Sequence, residues 1–344
     1  MTVQATQAEM VALFSQQLEL CKLNANETVA VLHDGTCLSD YAEAFLSAAE
    51  SIGAKAIDVH LRPGIETSLE ERFANFGANP LSENADALTI CKDADMVVDL
   101  FVASFSAEEA AIKQAGTRIL LVCEEIDTLE RLLPTQALKA RTEASVERLR
   151  TAKNFRFTNA LGTDINYAFG ASYTPLSEYG YTDEPGRWDH WPGGLAAHCP
   201  EDRSVNGRVV MAEGDIIYPQ MEFVRQPIEF IVEGGYVTEI KGGEHADEVR
   251  KFMDSYDDPR AYAISHIGWG TNEKCEWILK GIGMDGRAYD GIVLFSLGPN
   301  LEFGGDNNTQ CHMDLPMKNC TAYLDGEMIL EKGTLLPDDL KTPS

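Results

Sequence analysis

Residues 29–61 read VAVLHDGTCLSDYAEAFLSAAESIGAKAIDVHL, and this stretch decides how the first half of the chain folds. Val29 to His33 is a short apolar run of strand character, and Ala56 to Leu61 is another. Between them Tyr41, Phe45, Ala48, Ala49 and Ile52 share one helical face that stops at Gly53, the residue type best suited to a helix end. Strand, helix and strand in this order make a parallel crossover unit. Two further runs, Met96 to Val102 and Arg118 to Cys123, extend the pattern, and Ser106 with Glu109 forms a capping box opening a helix that stops at Gly116. The turn after the first strand, Asp34-Gly35-Thr36-Cys37-Leu38, has neither a Gly-x-Gly-x-x-Gly pattern nor a Walker-type lysine. A dinucleotide or nucleotide phosphate therefore finds no cradle there, and the domain is expected to be a scaffold or a lid.

A helix-rich stretch from Ile126 to Lys153 leads into a second half with different patterning. Gly207 to Met211, Ile228 to Val232, Tyr236 to Ile240 and Ile292 to Leu297 are short strand candidates, and Glu233-Gly234-Gly235 is a hairpin turn between two of them. The expected architecture is an N-terminal parallel α/β domain over residues 1–155 and a C-terminal mixed, largely antiparallel α+β domain over residues 156–344 that binds metal. Residues 337–344 are expected to form a loose tail.

A chain of 344 residues has room for two cores. Its 55 acidic against 28 basic residues, net −27, repel phosphates and anionic lipid, which excludes nucleic acid and membrane surfaces as expected partners. A neutral or cationic small substrate fits that charge better. No charged-then-apolar leader opens the sequence and no apolar run approaches the roughly 18 residues a spanning helix needs, so a cytoplasmic protein is expected. A homo-oligomer is expected as well. Eight scattered cysteines without a Cys-x-x-Cys pair read as reduced, buried thiols.

The chemistry concentrates in Gln310-Cys311-His312-Met313-Asp314-Leu315. On an extended strand His312 and Asp314 project from one face while Cys311 and Met313 point away. With His266, upstream in Ser265-His266-Ile267-Gly268-Trp269-Gly270, they would make two imidazoles and one carboxylate. That donor set is the facial triad of non-haem Fe(II) oxygenases, which leaves open positions for substrate and dioxygen. The same His-x-Asp spacing recurs at His245 and Asp247, in a stretch that reads as a helix. Residues two apart on a helix diverge by roughly 200°, so that pair is expected to be a solvated helix start. His266 has a competing role as a core histidine bonded to backbone, in a bend bounded by glycines. His33 and His60, near strand ends, are expected to be structural, and His198 falls in a loop.

Residues 178–194, EYGYTDEPGRWDHWPGG, carry five rings, five charges and six proline or glycine residues. Such a segment is expected to be neither helix nor strand. Its rings either plug a domain junction or wall a pocket for a flat ligand. A second Gly-rich turn, residues 298–307, connects the strand ending at Leu297 to that of His312.

The loop of residues 178–194, the SHIGWG segment and the CHMDLPMKNC run resemble the 2,5-dihydroxypyridine 5,6-dioxygenases of bacterial nicotinate and nicotine breakdown. The likeness extends over most of the chain. It implies mononuclear Fe(II) held at His266, His312 and Asp314, and dioxygen-dependent opening of a hydroxypyridine ring to N-formylmaleamate. It further implies that Glu178 and His190 line the substrate pocket. The wider superfamily includes aminopeptidases of the thermophilic type. One departure is that Phe105 stands where the family places a histidine, just after the strand ending near Val102.

Independently of the family, a hydroxypyridine that binds as an anion needs a base, for which His190 and Glu178 are the candidates. Trp188 and Trp191 are candidate walls for the flat ring, and Arg187 or Arg287 for neutralising charge that develops on oxygen. Core packing or a salt bridge is the competing role for each of those four. Two other functions compete with a dioxygenase: a metallo-aminopeptidase-like hydrolase, which needs ligands for a second ion, and a non-catalytic ligand-binding protein.

Overall fold

The computed structural model describes residues 5–35, 38–61, 80–101, 106–170 and 172–342. Cys37, Val102 and Phe105 lie outside them. The chain divides into two compact units, one of residues 1–134 with 179–193, the other of residues 135–178 with 194–344. The division therefore falls at three points along the chain, where the sequence suggested a single boundary at 155/156.

The first unit opens with helix α1 (Gln7–Leu20), whose Thr6 and Glu9 cap each other. There follow β1 (Thr28–His33), α2 (Ser39–Ile52), β2 (Lys55–His60), α3 (Ala85–Asp93), β3 (Met96–Asp99), α4 (Ala107–Gln114), β4 (Arg118–Val122) and α5 (Ile126–Arg131). Helix α2 ends at Gly53, which holds a φ of +89° that an L side chain resists. Ser106 caps α4 by accepting from the Glu109 amide at 3.1 Å. The strands pair in parallel, β3 and β4 are buried along their whole length, and β2 is the half-exposed edge. Continuous apolar runs suit such strands, because helices cover both faces of a parallel sheet. The core beside the sheet is built on Phe14 and Phe45, stacked at 4.0 Å.

Next come α6 (Gln136–Thr151), β5 (Asn154–Thr158), β6 (Asp164–Ala168) and β7 (Leu176–Glu178), all of the second unit, and then β8 (Trp188–Trp191), which belongs to the first. Contrary to the irregular loop expected there, β8 is a buried strand pairing in parallel with β4, with Leu121 opposite His190. The density of proline and glycine around it masks a four-residue strand in which only Trp188 and Trp191 are good strand formers.

The second unit continues with β9 (Leu195–His198), β10 (Asn206–Met211), β11 (Ile216–Ile217), β12 (Glu222–Phe223), β13 (Ile228–Glu233), β14 (Tyr236–Lys241), α7 (Glu244–Asp254), β15 (Ile264–Gly270) and α8 (Met284–Ala288). It closes with β16 (Val293–Leu297), β17 (Met313–Met317), β18 (Thr321–Leu324), β19 (Glu327–Glu331) and β20 (Thr334–Leu335). An antiparallel sheet of order β14-β13-β10-β6-β5-β18-β19-β20 and another of order β17-β16-β15-β9-β7 share one core, which includes Phe155, Tyr167, Phe230, Trp269 and Phe295. A parallel α/β unit and a mixed, largely antiparallel one make up the fold class read from the sequence. Two local readings differ: His266 lies within strand β15, where a bend was expected, and His198 within β9. The seven cysteines among the described residues are all buried. No described helix is long and apolar enough to cross a membrane.

Asp215, just before β11, is 3% exposed and accepts from the amides of Ala212 at 2.8 Å and Lys318 at 3.1 Å. Burial outweighs those bonds and pushes its carboxyl up to about 6. The fold thus favours the protonated acid. The contribution of Asp215 to the unfolding free energy should fall as pH rises from about 4 to about 6 and then level off, by on the order of 3 kcal/mol. Chemical denaturation of wild type and Asp215→Asn across that range should show this contribution as the change in the difference between them.

Candidate metal centre

The site lies on the β17-β16-β15-β9-β7 sheet. Directly opposed residues on antiparallel strands share a face. Ser296 opposes Asp314, Gly268 opposes Ala197, and Leu195 opposes Glu178. Ile267, Trp269, Phe295, Met313 and Leu315 point into the shared core. The other face therefore carries Glu178, Ser296 and Asp314.

His266 reaches that face through an irregularity. Ile264 opposes Leu297 and Ile267 opposes Phe295, so three steps along β15 match two along β16. The extra residue makes a bulge at Ser265 and His266, and bulges re-aim side chains. Gly268 follows directly, where a Cβ would lie 2.1 Å from the Ala196 carbonyl oxygen and 2.8 Å from the Ala197 Cα. Backbone cannot yield there, so Gly268→Ala should lower stability by about 3 kcal/mol, read as a shift in the urea midpoint.

His266, His312 and Asp314 are each buried, and one ligand atom from each lies within 4.8 Å of the others. His312 Nε2 is 3.3 Å from Asp314 Oδ1 and His266 Nε2 is 3.7 Å from it. The imidazole rings are 5.6 Å apart, with Phe303 5.2 Å beyond His266. His312 immediately precedes β17, so the spacing reading needs only an extended backbone there. Burial pushes the His266 imidazole down to about 4 against the opposing pull of Asp314, which leaves the ring neutral at pH 7. Burial would raise the Asp314 carboxyl, but the charges of His312 and Arg287 overturn it and hold the group well below the usual carboxylate range. A neutral imidazole and an ionised carboxylate are the forms in which these groups bind metal.

Asp314 is held from behind. Ser296 Oγ donates to its Oδ1 at 2.6 Å and Arg287 Nε to its Oδ2 at 2.6 Å. The Arg287 guanidinium also donates to the Ile282 carbonyl at 2.5 Å and lies 4.0 Å over the Tyr218 ring. Arg287, expected beside substrate, is thus paired with a candidate ligand carboxylate. Sequence reading missed Ser296, whose position opposite Asp314 follows once the strand register is set.

A second group, Glu222, His245 and Glu248, also brings three possible ligand atoms within 4.8 Å. Helix α7 does carry His245 as expected, but the ring is 3% exposed where a solvated start was anticipated. The Arg225 amide donates to His245 Nδ1 at 3.2 Å. In the neutral ring the proton is then on Nε2, facing Glu222 Oε2 at 3.3 Å, and Glu248 is paired with Arg225. No ring lone pair is offered to an ion in that arrangement.

The other expected site residues divide. Glu178 is buried and shares the face of the three candidate ligands. His190, in the first unit, donates from Nδ1 to the Pro192 carbonyl at 2.6 Å, so Nε2 is the basic nitrogen of its neutral ring. Trp188 packs edge-on to His190 at 5.5 Å, and its Nε1 has no hydrogen-bond partner among the described residues. Trp191 is fully buried in the first unit's core, 6.0 Å from Phe14, with Nε1 donating to the Leu132 carbonyl at 3.2 Å; core packing accounts for it in full. Arg187 lies 3.7 Å over the Tyr179 ring and bonds Asp189 at 2.6 Å, a structural pairing where substrate contact was expected. Asp189, which sequence reading passed over, is fully buried and also accepts from the amides of Tyr179, Gly180 and His190. It organises the turn that returns the chain to β8.

The family model described as NicX, 2,5-dihydroxypyridine 5,6-dioxygenase, matches residues 9–337. The 2,5-dihydroxypyridine 5,6-dioxygenase of Pseudomonas putida KT2440 is 36% identical over 339 residues, 96% of each chain. The solved structure of 2,5-dihydroxypyridine dioxygenase from Pseudomonas putida KT2440 superposes with a TM-score of 0.94 at 35% identity, over 98% of this chain and 100% of that one. AmpT from Thermus thermophilus shares the fold, with a TM-score of 0.61 at 14% identity over 97% and 100% of the two chains. This chain belongs to the 2,5-dihydroxypyridine 5,6-dioxygenase family.

Proposed function

We propose that this protein is an Fe(II)-dependent dioxygenase that opens the ring of a hydroxylated pyridine, 2,5-dihydroxypyridine foremost, to N-formylmaleamate. A cytoplasmic location and a homo-oligomeric state belong to the same reading. The observation that carries it is the convergence of two buried imidazoles and one ionised carboxylate in a chain of this family. The donor set fits the ion: three nitrogen and oxygen donors, few enough to leave room for other ligands. His266, His312 and Asp314 would hold it. When bound, such a metal gives triplet dioxygen and a closed-shell aromatic ring a spin-permitted route to react.

The protein's own groups do the rest. Ser296 and Arg287 fix both oxygens of Asp314, so the carboxylate is oriented before any ion arrives. Glu178, on the same face, is the base this unit itself supplies for a ring hydroxyl. His190 keeps the proposed role of second base, with Nε2 the nitrogen that accepts the proton.

Anaerobically purified protein given Fe(II) and 2,5-dihydroxypyridine should bleach the ring absorbance when air is admitted, with matching dioxygen uptake. Bound substrate with an unchanged spectrum would point instead to a binding protein. A two-metal aminopeptidase is disfavoured because the two candidate clusters among the described residues share no residue that could bridge a pair of ions. Peptide hydrolysis with two zinc ions per chain would reverse that choice. Phe105→His should change substrate preference or the pH profile of turnover while leaving iron content within experimental error. An equal loss of iron would place residue 105 in a structural role.

A further inference from the structure

The bulge in β15 brings one more group to the candidate ligands. Ser265 is fully buried, and its Oγ contacts both the Pro299 carbonyl oxygen and His266 Nδ1, the latter at 2.9 Å. A hydroxyl carries one proton, and a carbonyl can only accept. The Oγ proton therefore goes to Pro299, and the contact with His266 must run from Nδ1–H to Oγ. In a neutral imidazole the second nitrogen then holds the lone pair, and that nitrogen, Nε2, is the one facing Asp314. His245 shows the opposite case within the same unit, with an amide donating to Nδ1 and the proton left on Nε2.

We propose that Ser265 is a positioning residue for the metal centre: anchored on Pro299, it fixes His266 in the tautomer whose Nε2 lone pair points toward Asp314 and His312. This rests on the metal reading of the three ligands. The extra residue of the bulge serves both ends of the device, since it turns His266 to the site and leaves Ser265 within reach of Nδ1.

The test reads the tautomer directly in metal-free protein at neutral pH, by ring-15N labelling of histidine, with the His266 signals identified by their loss in His266→Gln. The wild type should show a protonated Nδ1 and a lone-pair Nε2. Ser265→Ala should populate the other tautomer and weaken Co(II) or Fe(II) binding about 10- to 100-fold, and Ser265→Thr, which keeps the hydroxyl, should restore both. A wild-type ring protonated on Nε2 overturns the proposal, as does either readout staying unchanged in Ser265→Ala. Should that variant not fold, the wild-type spectrum and Ser265→Thr still decide. Failure of the wild type to bind any divalent ion, with the Nδ1-protonated spectrum intact, counts against the metal reading and for the tautomer assignment.

Discussion

Alanine at His312 or at Asp314 is expected to abolish metal retention, with affinity falling by more than about 100-fold, above what loss of a merely supporting group brings. Either change leaves two donors where three converge within 4.8 Å. Asp314→Ala does further damage, because Arg287 is 7% exposed and its Nε is directed at that carboxylate. A buried guanidinium stripped of its partner is itself destabilising. His245→Ala should leave metal content untouched, since the Arg225 amide occupies Nδ1 and directs the proton to Nε2. Iron measured after gel filtration of Fe(II)-loaded protein separates the three variants. Equal loss in all of them would defeat the distinction between the two histidine clusters.

The second large effect belongs to Asp189. Its carboxylate takes the amides of Tyr179 at 3.0 Å, Gly180 at 3.1 Å and His190 at 2.9 Å, together with the Arg187 guanidinium at 2.6 Å. Alanine there would strip three amides and a largely buried guanidinium of their shared carboxylate at one stroke. A loss of about 3–5 kcal/mol is expected, the range for breaking a buried ion pair from one side. Asparagine should cost less, because it keeps one acceptor while turning an NH2 group toward donors. Urea unfolding followed by tryptophan fluorescence reads the change beside Trp188 and Trp191. A midpoint shift worth under about 1 kcal/mol would mean that the turn holds its shape without the carboxylate.

Legibility in the sequence followed the strength of local signals. The strand-helix-strand unit of residues 28–60 was readable because two apolar runs, an apolar helix face and the stop at Gly53 all agreed. His312 and Asp314 were readable because their spacing has one meaning on an extended backbone. Strand β8 was hidden among prolines and glycines, and its role depends on Asp189 gathering amides from residues up to ten positions away, which no periodicity announces. His266 was placed in a bend because two glycines follow it; one of them, Gly268, instead permits the close strand approach at Ala196. The bulge that aims His266, and with it the role of Ser265, depends on register between β15 and β16 and so has no local signature. Arg187, Arg287 and Trp191 drew attention by residue type, and their partners proved to be an internal carboxylate, a candidate ligand carboxylate and an aromatic core.

The late arrival of β8 has a consequence for biosynthesis. Strand β4 is complete at Val122, but its neighbour begins only at Trp188, roughly sixty residues later. At ~5–20 residues per second the ribosome needs several seconds to cover that distance. Throughout that interval a nascent parallel sheet presents an apolar, unpaired margin, the kind of surface that recruits other chains. Holdase chaperones should therefore engage this polypeptide during elongation and let go once the strand has docked.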